Sequence, residues 1–367
     1  MSEPLVGGGI STVPMLDHPP TARVLAISTA VPDGAIESHY TSWATAQIAD
    51  ERQRKLFERM SARAGIENRY SVLDGQHGRM DASSFYAGTV APSTAERMQV
   101  YARDAPLLAL KAIAGLPDLG DITHLVVASC TGFMAPGLDQ VIARRLNLSS
   151  QVERISIGFM GCYAGITALR TAAHLVRSQQ QARVLVVTVE LCSLHLQDTG
   201  DIESLLAMRQ FADGAAAAIV CASGEGLALG ASLSETLEES AELITWTIGD
   251  TGFAMHLSGE VPARLADALI NPAVAARLGD ISAIEAWAVH PGGRSILDAV
   301  ERGLCLAPGK LDASRSVLRE FGNMSSATVL FVLERLMQQR PATGLALAFG
   351  PGLAMEGLHF GWTDDAG

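Results

Sequence analysis

Ile155-Ser-Ile-Gly-Phe-Met-Gly-Cys162-Tyr-Ala-Gly-Ile-Thr-Ala-Leu-Arg170 is an apolar run that ends in glycines, passes a cysteine and turns helical at once. Ile166, Leu169, Ala173 and Val176 recur at the spacing of one helix face. The pattern predicts strand, tight turn, helix, with Cys162 in the turn. Unpartnered N–H groups and the positive end of the helix dipole then face the sulfur, a setting that favours thiolate over thiol. Gly158, Gly161 and Gly165 permit a sharp turn and close approach of other groups. Cys162 is therefore a candidate nucleophile, the alternative being a small buried hydrophobe.

A thiol nucleophile needs a base or charge partner and donors for an oxyanion. Ala283-Ile-Glu-Ala-Trp-Ala-Val-His290-Pro-Gly-Gly-Arg294 reads as a strand stopped by proline and paired glycines, leaving His290 at its end. Phe321-Gly-Asn323-Met-Ser-Ser-Ala-Thr-Val-Leu330 leads into an apolar helix, with Asn323 at the start. Taken singly, His290 could be a satisfied core histidine and Asn323 an N-cap. Together the three polar residues lie at strand ends and helix starts, which converge on the ligand crevice of α/β sheets.

Cys162, His290 in HPGG, Asn323 in GNMSSA and the terminal Gly350-Pro-Gly-Leu-Ala-Met-Glu356 resemble a type III polyketide synthase. This is the chalcone-synthase-like branch of the thiolase superfamily. The likeness runs from about residue 20 to about residue 360, and the 33-residue step from His290 to Asn323 fits it. It implies an α/β, thiolase-like, five-layered αβαβα fold with two internally duplicated halves. The expected units are a flexible lead over 1–20, a half over 21–225 carrying the cysteine, and a half over 226–367 carrying the histidine and asparagine. Ser223-Gly-Glu-Gly and the acidic Glu235–Glu242 stretch mark the junction.

The resemblance also implies the chemistry. Cys162 takes a starter acyl group from an acyl-CoA, with His290 as its cationic partner. His290 and Asn323 donate hydrogen bonds to the malonyl thioester oxygen as CO2 leaves. The enolate attacks the acyl-enzyme, the chain returns to Cys162, and the cycle repeats before ring closure. Coenzyme A thioesters are substrates, and no cofactor or metal is expected.

By the same register, Phe211, ahead of Asp213-Gly-Ala-Ala-Ala-Ala, is a gatekeeper, and Met255 stands where a second gatekeeper phenylalanine is usual. Cys130, His195, Trp246 and Ser325 are expected to line the substrate pocket. Cys130 replaces a threonine of the plant enzymes, as in some bacterial relatives, and could equally be a plain buried residue. Arg59, Arg63 and Gly293 are expected CoA contacts, although Leu56 stands where a lysine is common. Arg52, Arg54, Lys55, Arg59 and Arg63 crowd one predicted helix with Arg69 just beyond. The alternative is a solvated helix face. Without a plant-like gate at Trp246 and Met255, a fatty acyl starter giving an alkylpyrone or alkylresorcinol is expected. A malonyl-only route to a small aromatic is the competitor.

At 367 residues, 48% hydrophobic and 18% charged, the chain can build a large core, and its net charge of −12 argues against nucleic acid and anionic membranes. Five scattered cysteines are not a disulfide framework, which suggests a reducing cytoplasm. The apolar runs are too short or interrupted to span a bilayer. A homodimer is expected, with Ala135 near its twofold axis. Two rivals remain: a β-ketoacyl carrier-protein synthase III, which condenses once, and a non-catalytic thiolase-fold scaffold, which has no need of all three polar residues.

Overall fold

The computed structural model describes residues 21–74, 85, 86 and 90–364. The expected lead over 1–20 lies outside them. The strands are β1 (Arg23–Ala30), β2 (Gly34–Ala35), β3 (Tyr70–Ser71), β4 (His124–Ser129), β5 (Glu153–Gly158), β6 (Val184–Leu191), β7 (Asp213–Cys221), β8 (Gly226–Thr236), β9 (Ile244–Gly249), β10 (Gly252–Leu257), β11 (Ala286–Val289), β12 (Gly344–Gly350) and β13 (Ala354–Thr363). The helices are α1 (Glu37–Gln47), α2 (Glu51–Arg63), α3 (Thr94–Ala114), α4 (Leu138–Arg145), α5 (Ala164–Ser178), α6 (Ile202–Met208), α7 (Val261–Ile270), α8 (Pro272–Leu278), α9 (Arg294–Gly303), α10 (Asp312–Phe321) and α11 (Thr328–Met337).

Val184-Leu-Val-Val-Thr-Val-Glu-Leu191 in β6 and Asp213-Gly-Ala-Ala-Ala-Ala-Ile-Val-Cys221 in β7 are buried at every position. Such unbroken runs belong in the middle of a sheet covered on both faces. They lie there, in the order β11-β12-β13-β8-β1-β7-β6-β4-β5. β1 pairs antiparallel with β7, β7 antiparallel with β6, and β6 parallel with β4. Beyond the antiparallel β1–β8 seam the scheme repeats: β8 with β13 antiparallel, β13 with β12 antiparallel, β12 with β11 parallel. β5 extends only the first half. The chain crosses between the halves at residues 222–225, and Glu235 stays within β8.

Successive residues of one strand serve different cores, as the pleat requires. Val126 of β4 faces a central core with Ile166 and Leu169 of α5 and Leu330 and Leu333 of α11, which also takes Ala346 from the second half. Leu125 and Val127 face Leu108 and Ala109 of α3. On the far side, Trp287 and Leu345 pack with Leu297 and Val300 of α9 and Leu265 of α7. Helices therefore cover both outer faces and fill the middle, in five layers. The central helices approach closely: a Cβ at Gly165 would lie 2.3 Å from the Ser326 carbonyl oxygen.

Candidate active site

The turn between β5 and α5 forms as the sequence predicts. Phe159 and Gly161 take positive φ of 57° and 82°, and the chain doubles back to place Cys162 two residues before α5. Pro351 crowds Gly161 so closely that a Cβ there would meet its Cδ at 2.3 Å. His290 follows β11 directly, and its N–H donates to the Leu347 carbonyl at 2.7 Å. Asn323 is held by its backbone: its N–H donates to Gln210 O at 2.8 Å, and Ala212 N–H donates to Asn323 O at 2.9 Å. Its Oδ1 accepts from Ser325 N–H at 2.9 Å, and its Nδ2 donates to Gly292 O at 3.3 Å. Asn323 thus lies just ahead of the short 3-10 turn Ser325–Ala327 and does not cap α11, whose first residue is Thr328. Cys162, His290 and Asn323 all line one cavity.

Burial governs the charge states here. Desolvation pushes the Cys162 thiol up to about 11, only partly offset by hydrogen bonds from Ser325 and Asn323. Desolvation alone pushes His290 down to about 3. Burial thus opposes the charged form of both groups, against the pull of the start of α5 towards thiolate. Among the described residues neither ring nitrogen of His290 has a hydrogen-bond partner, although the residue is buried. Unsatisfied buried nitrogens are costly and rare in folded proteins. These two are free for incoming groups.

The cavity is narrow, about 60 Å³. Cys130, Phe211, Trp246, Met255 and Ser325 line it. Trp246 and Met255 face each other across the β9–β10 hairpin, and Trp246 Nε1 donates to Cys130 O at 3.0 Å. Ser325 holds a positive φ of 47°, a strained backbone of the kind that clusters at functional sites. His195 departs from the expectation. It stacks on Phe253 at 4.1 Å, behind Trp246, with Nε2 bonded to Thr131 O at 2.7 Å and Nδ1 to Phe253 N–H at 3.1 Å. With both nitrogens engaged it supports the wall instead of lining the cavity.

The two family models for chalcone and stilbene synthases, N-terminal and C-terminal domains, match residues 17–224 and 228–361. The chain belongs to this family. It is a type III polyketide synthase, an acyltransferase working by decarboxylative condensation. An alpha-pyrone synthesis polyketide synthase-like Pks18 from Mycobacterium tuberculosis is 32% identical over 96% of this chain and 94% of its own. Bisdemethoxycurcumin synthase from Oryza sativa subsp. japonica is 33% identical over 92% and 91%. The crystal structure of PKS-I from the brown alga Ectocarpus siliculosus aligns with a TM-score of 0.84 at 28% identity, covering 95% of this chain and 100% of its own.

Residues the sequence reading did not single out complete the synthase's site. Glu190, at the end of β6, is fully buried, and Cys130 N–H (2.9 Å), Thr131 Oγ1 (2.8 Å) and Ser326 Oγ all donate to its carboxylate. Desolvation still raises it to about 7. A lone acid in an otherwise apolar run was the available signal. Cys192 is a third thiol in the cavity wall. Outside, a cleft is lined by Met60, Arg63, Leu206, Arg209, Gln210 and Arg294. Gln210 adjoins Phe211, and Gly293 separates Arg294 from Gly292, so the cleft abuts the cavity wall. A Cβ at Gly293 would meet Gln210 Oε1 at 1.9 Å. Arg59 is exposed on α2, outside this lining. Arg69 is no part of a surface patch: it is fully buried. Among the described residues no cluster of three or more His, Cys, Asp or Glu is placed to hold a metal, and no helix is long and apolar enough to cross a membrane.

Proposed function

We propose that the synthase loads an aliphatic acyl-CoA on Cys162, extends it repeatedly with malonyl-CoA, and releases an alkylpyrone or alkylresorcinol. The observation that carries this is the cavity wall: apart from the catalytic end, it is built from Ile244, Trp246, Leu257, Val261, Ile296 and Phe349, with Met255. Such a wall offers no partner to a polar or charged starter, and leaving one unpaired costs more than a methylene gains.

Thioester exchange begins with the deprotonation of Cys162. His290 takes the Cys162 proton as sulfur attacks the acyl carbon and returns it to the departing CoA thiolate. In the extension step, Nε2–H of His290 and Nδ2–H of Asn323 donate to the malonyl thioester oxygen as CO2 leaves. The carbanion attacks the Cys162 thioester, and the sulfur is freed to accept the longer chain. An amide suits position 323, because a carboxylate there would repel the enolate. No bound cofactor enters these steps. CoA phosphates fall to Arg63 and Arg294 at the cleft, with Arg59 outside it, and Gly293 lets the arm pass near Gln210. Guanidinium groups suit phosphate.

The narrowness of the cavity favours short starters over long fatty ones, which need the β9–β10 hairpin to move. It equally favours the second reading, a malonyl-only route to a small aromatic. A homodimer is supported by the open edge of β5, where Ile155 and Ile157 are half-buried and Phe133 (48% exposed) and Ala135 lie exposed nearby. A reducing cytoplasm suits five free cysteines. Mass spectrometry of products from malonyl-CoA with acyl-CoA starters of two to sixteen carbons, beside Cys162→Ala, tests the starter and the product. Starter-bearing products of two or three extensions, absent in the variant, are expected. Products from malonyl-CoA alone select the second reading, and single extensions only would move the chain to the carrier-protein synthases.

A further inference from the structure

On α2, residues 52, 56, 59, 60 and 63 fall on one face at 3.6 residues per turn. Arg52, Leu56, Arg59, Met60 and Arg63 are all exposed, Leu56 by 36% and Met60 by 45%. The opposite face buries Phe57 and Ser61 beside α6. Lys55, off the stripe, pairs with Glu51 at 2.7 Å. Arg52, Arg59 and Arg63 have no ion-pair partner among the described residues, in a chain of net charge −12. Three unpaired cations interleaved with two exposed apolar side chains favour an acidic partner that also presents apolar surface. The stripe spans about 17 Å of helix. Only its Met60 and Arg63 end reaches the cleft beside the cavity wall. A CoA seated in the cleft leaves Arg52 uncovered.

We infer that this face docks an acidic carrier protein that delivers the starter as a thioester on a phosphopantetheine arm. This rests on the acylation of Cys162 proposed above and adds a second donor to it. The exchange balances as with CoA: the Cys162 Sγ–acyl bond forms, the carrier's sulfur–acyl bond breaks, and the thiol proton passes through His290 to the carrier's sulfur.

The test is single-turnover loading of Cys162, read by intact-protein mass, from hexanoyl-CoA and from a bacterial fatty-acid acyl carrier protein charged with hexanoate. Wild type should load from both. The variant Arg52→Glu should lose tenfold or more of its rate from the carrier while loading from hexanoyl-CoA stays within twofold. Loading of the wild type from hexanoyl-CoA alone overturns the inference and leaves the proposed function standing. An equal fall with both donors overturns it as well, because the face would then serve the CoA mouth or the fold. Absence of loading from either donor removes the reading on which it rests.

Discussion

The Arg69 guanidinium donates to the carbonyl oxygen of Phe211 at 2.8 Å, reaching from the loop after α2 to the cavity wall. Its Nε bonds Glu37 at 2.6 Å, Arg209 pairs with the same carboxylate at 2.5 Å, and the guanidinium lies 4.4 Å over the Tyr40 ring. Phe211 in turn bridges to Asn323 through the backbone. A buried cation thus ties the N-terminal helices to both Phe211 and Asn323. Arg69→Met leaves two carbonyls and part of a carboxylate unsatisfied, and breaking such a pair costs about 3–5 kcal/mol. The melting temperature should fall by several degrees, and kcat should fall more than KM rises. Unchanged melting and turnover would show the tie to be dispensable.

Cys162 should alkylate as a buried thiol. With its pKa raised to about 11, the thiolate fraction grows about tenfold per pH unit below that value. The iodoacetamide rate at Cys162, followed by peptide mass from pH 6 to 9, should climb throughout. A rate flat across that range would instead reveal a preformed thiolate–imidazolium pair.

How the sequence foretells these features differs by residue. Cys162, His290 and Asn323 were legible because strand-end and helix-start signals are local, and local signals survive folding. The duplicated sheet followed from the resemblance, while its register needed the pairing of strands far apart in sequence. The burial of Arg69 was not legible, because a lone arginine beside a basic helix carries no mark of it. Its partner Glu37 lies 32 residues away. His195 was misplaced for a related reason: position in the chain brought it near the cavity, but stacking on Phe253 turned it into a support. At Cys162 the dipole direction is readable from sequence, whereas the desolvation that opposes the thiolate is not.

Asn323→Ala should retain acylation of Cys162 by the starter yet lose about 10²–10³ in condensation rate, the usual cost of one oxyanion donor. The variant also loses the Oδ1 acceptor for Ser325 N–H, so its fold should be checked by melting. Acyl-enzyme that forms normally but fails to extend is the expected mass signature. Equal loss of both steps would assign Asn323 to structure.

Trp246 stands between the cavity and the His195–Phe253 stack, with ring centroids 5.5 Å and 5.9 Å away. Trp246→Ala should enlarge the cavity toward that stack and lengthen the best starter. Competition between hexanoyl-CoA and dodecanoyl-CoA, read by product mass, measures it. An unchanged preference would place the limit on chain length elsewhere.

Glu190 gives the fold a pH dependence whose sign can be worked out. Desolvation raises its folded pKa to about 7 from an ordinary value of 4.5, so the folded protein holds this proton more tightly than the unfolded chain. The resulting stability is full below pH 4.5 and is lost as pH rises through 7. Asp213, raised to about 6 by the same burial, acts in the same direction. Unfolding by urea should therefore show stability declining from pH 5 to 8, by on the order of a few kcal/mol for such shifts. Glu190→Gln removes one titrating group while an amide oxygen can still accept from Cys130 N–H. Its decline should be shallower than in the wild type, with Asp213 supplying the remainder. An identical slope in both proteins would mean that Glu190 is already ionised at pH 5, its charge carried by the three donors around it.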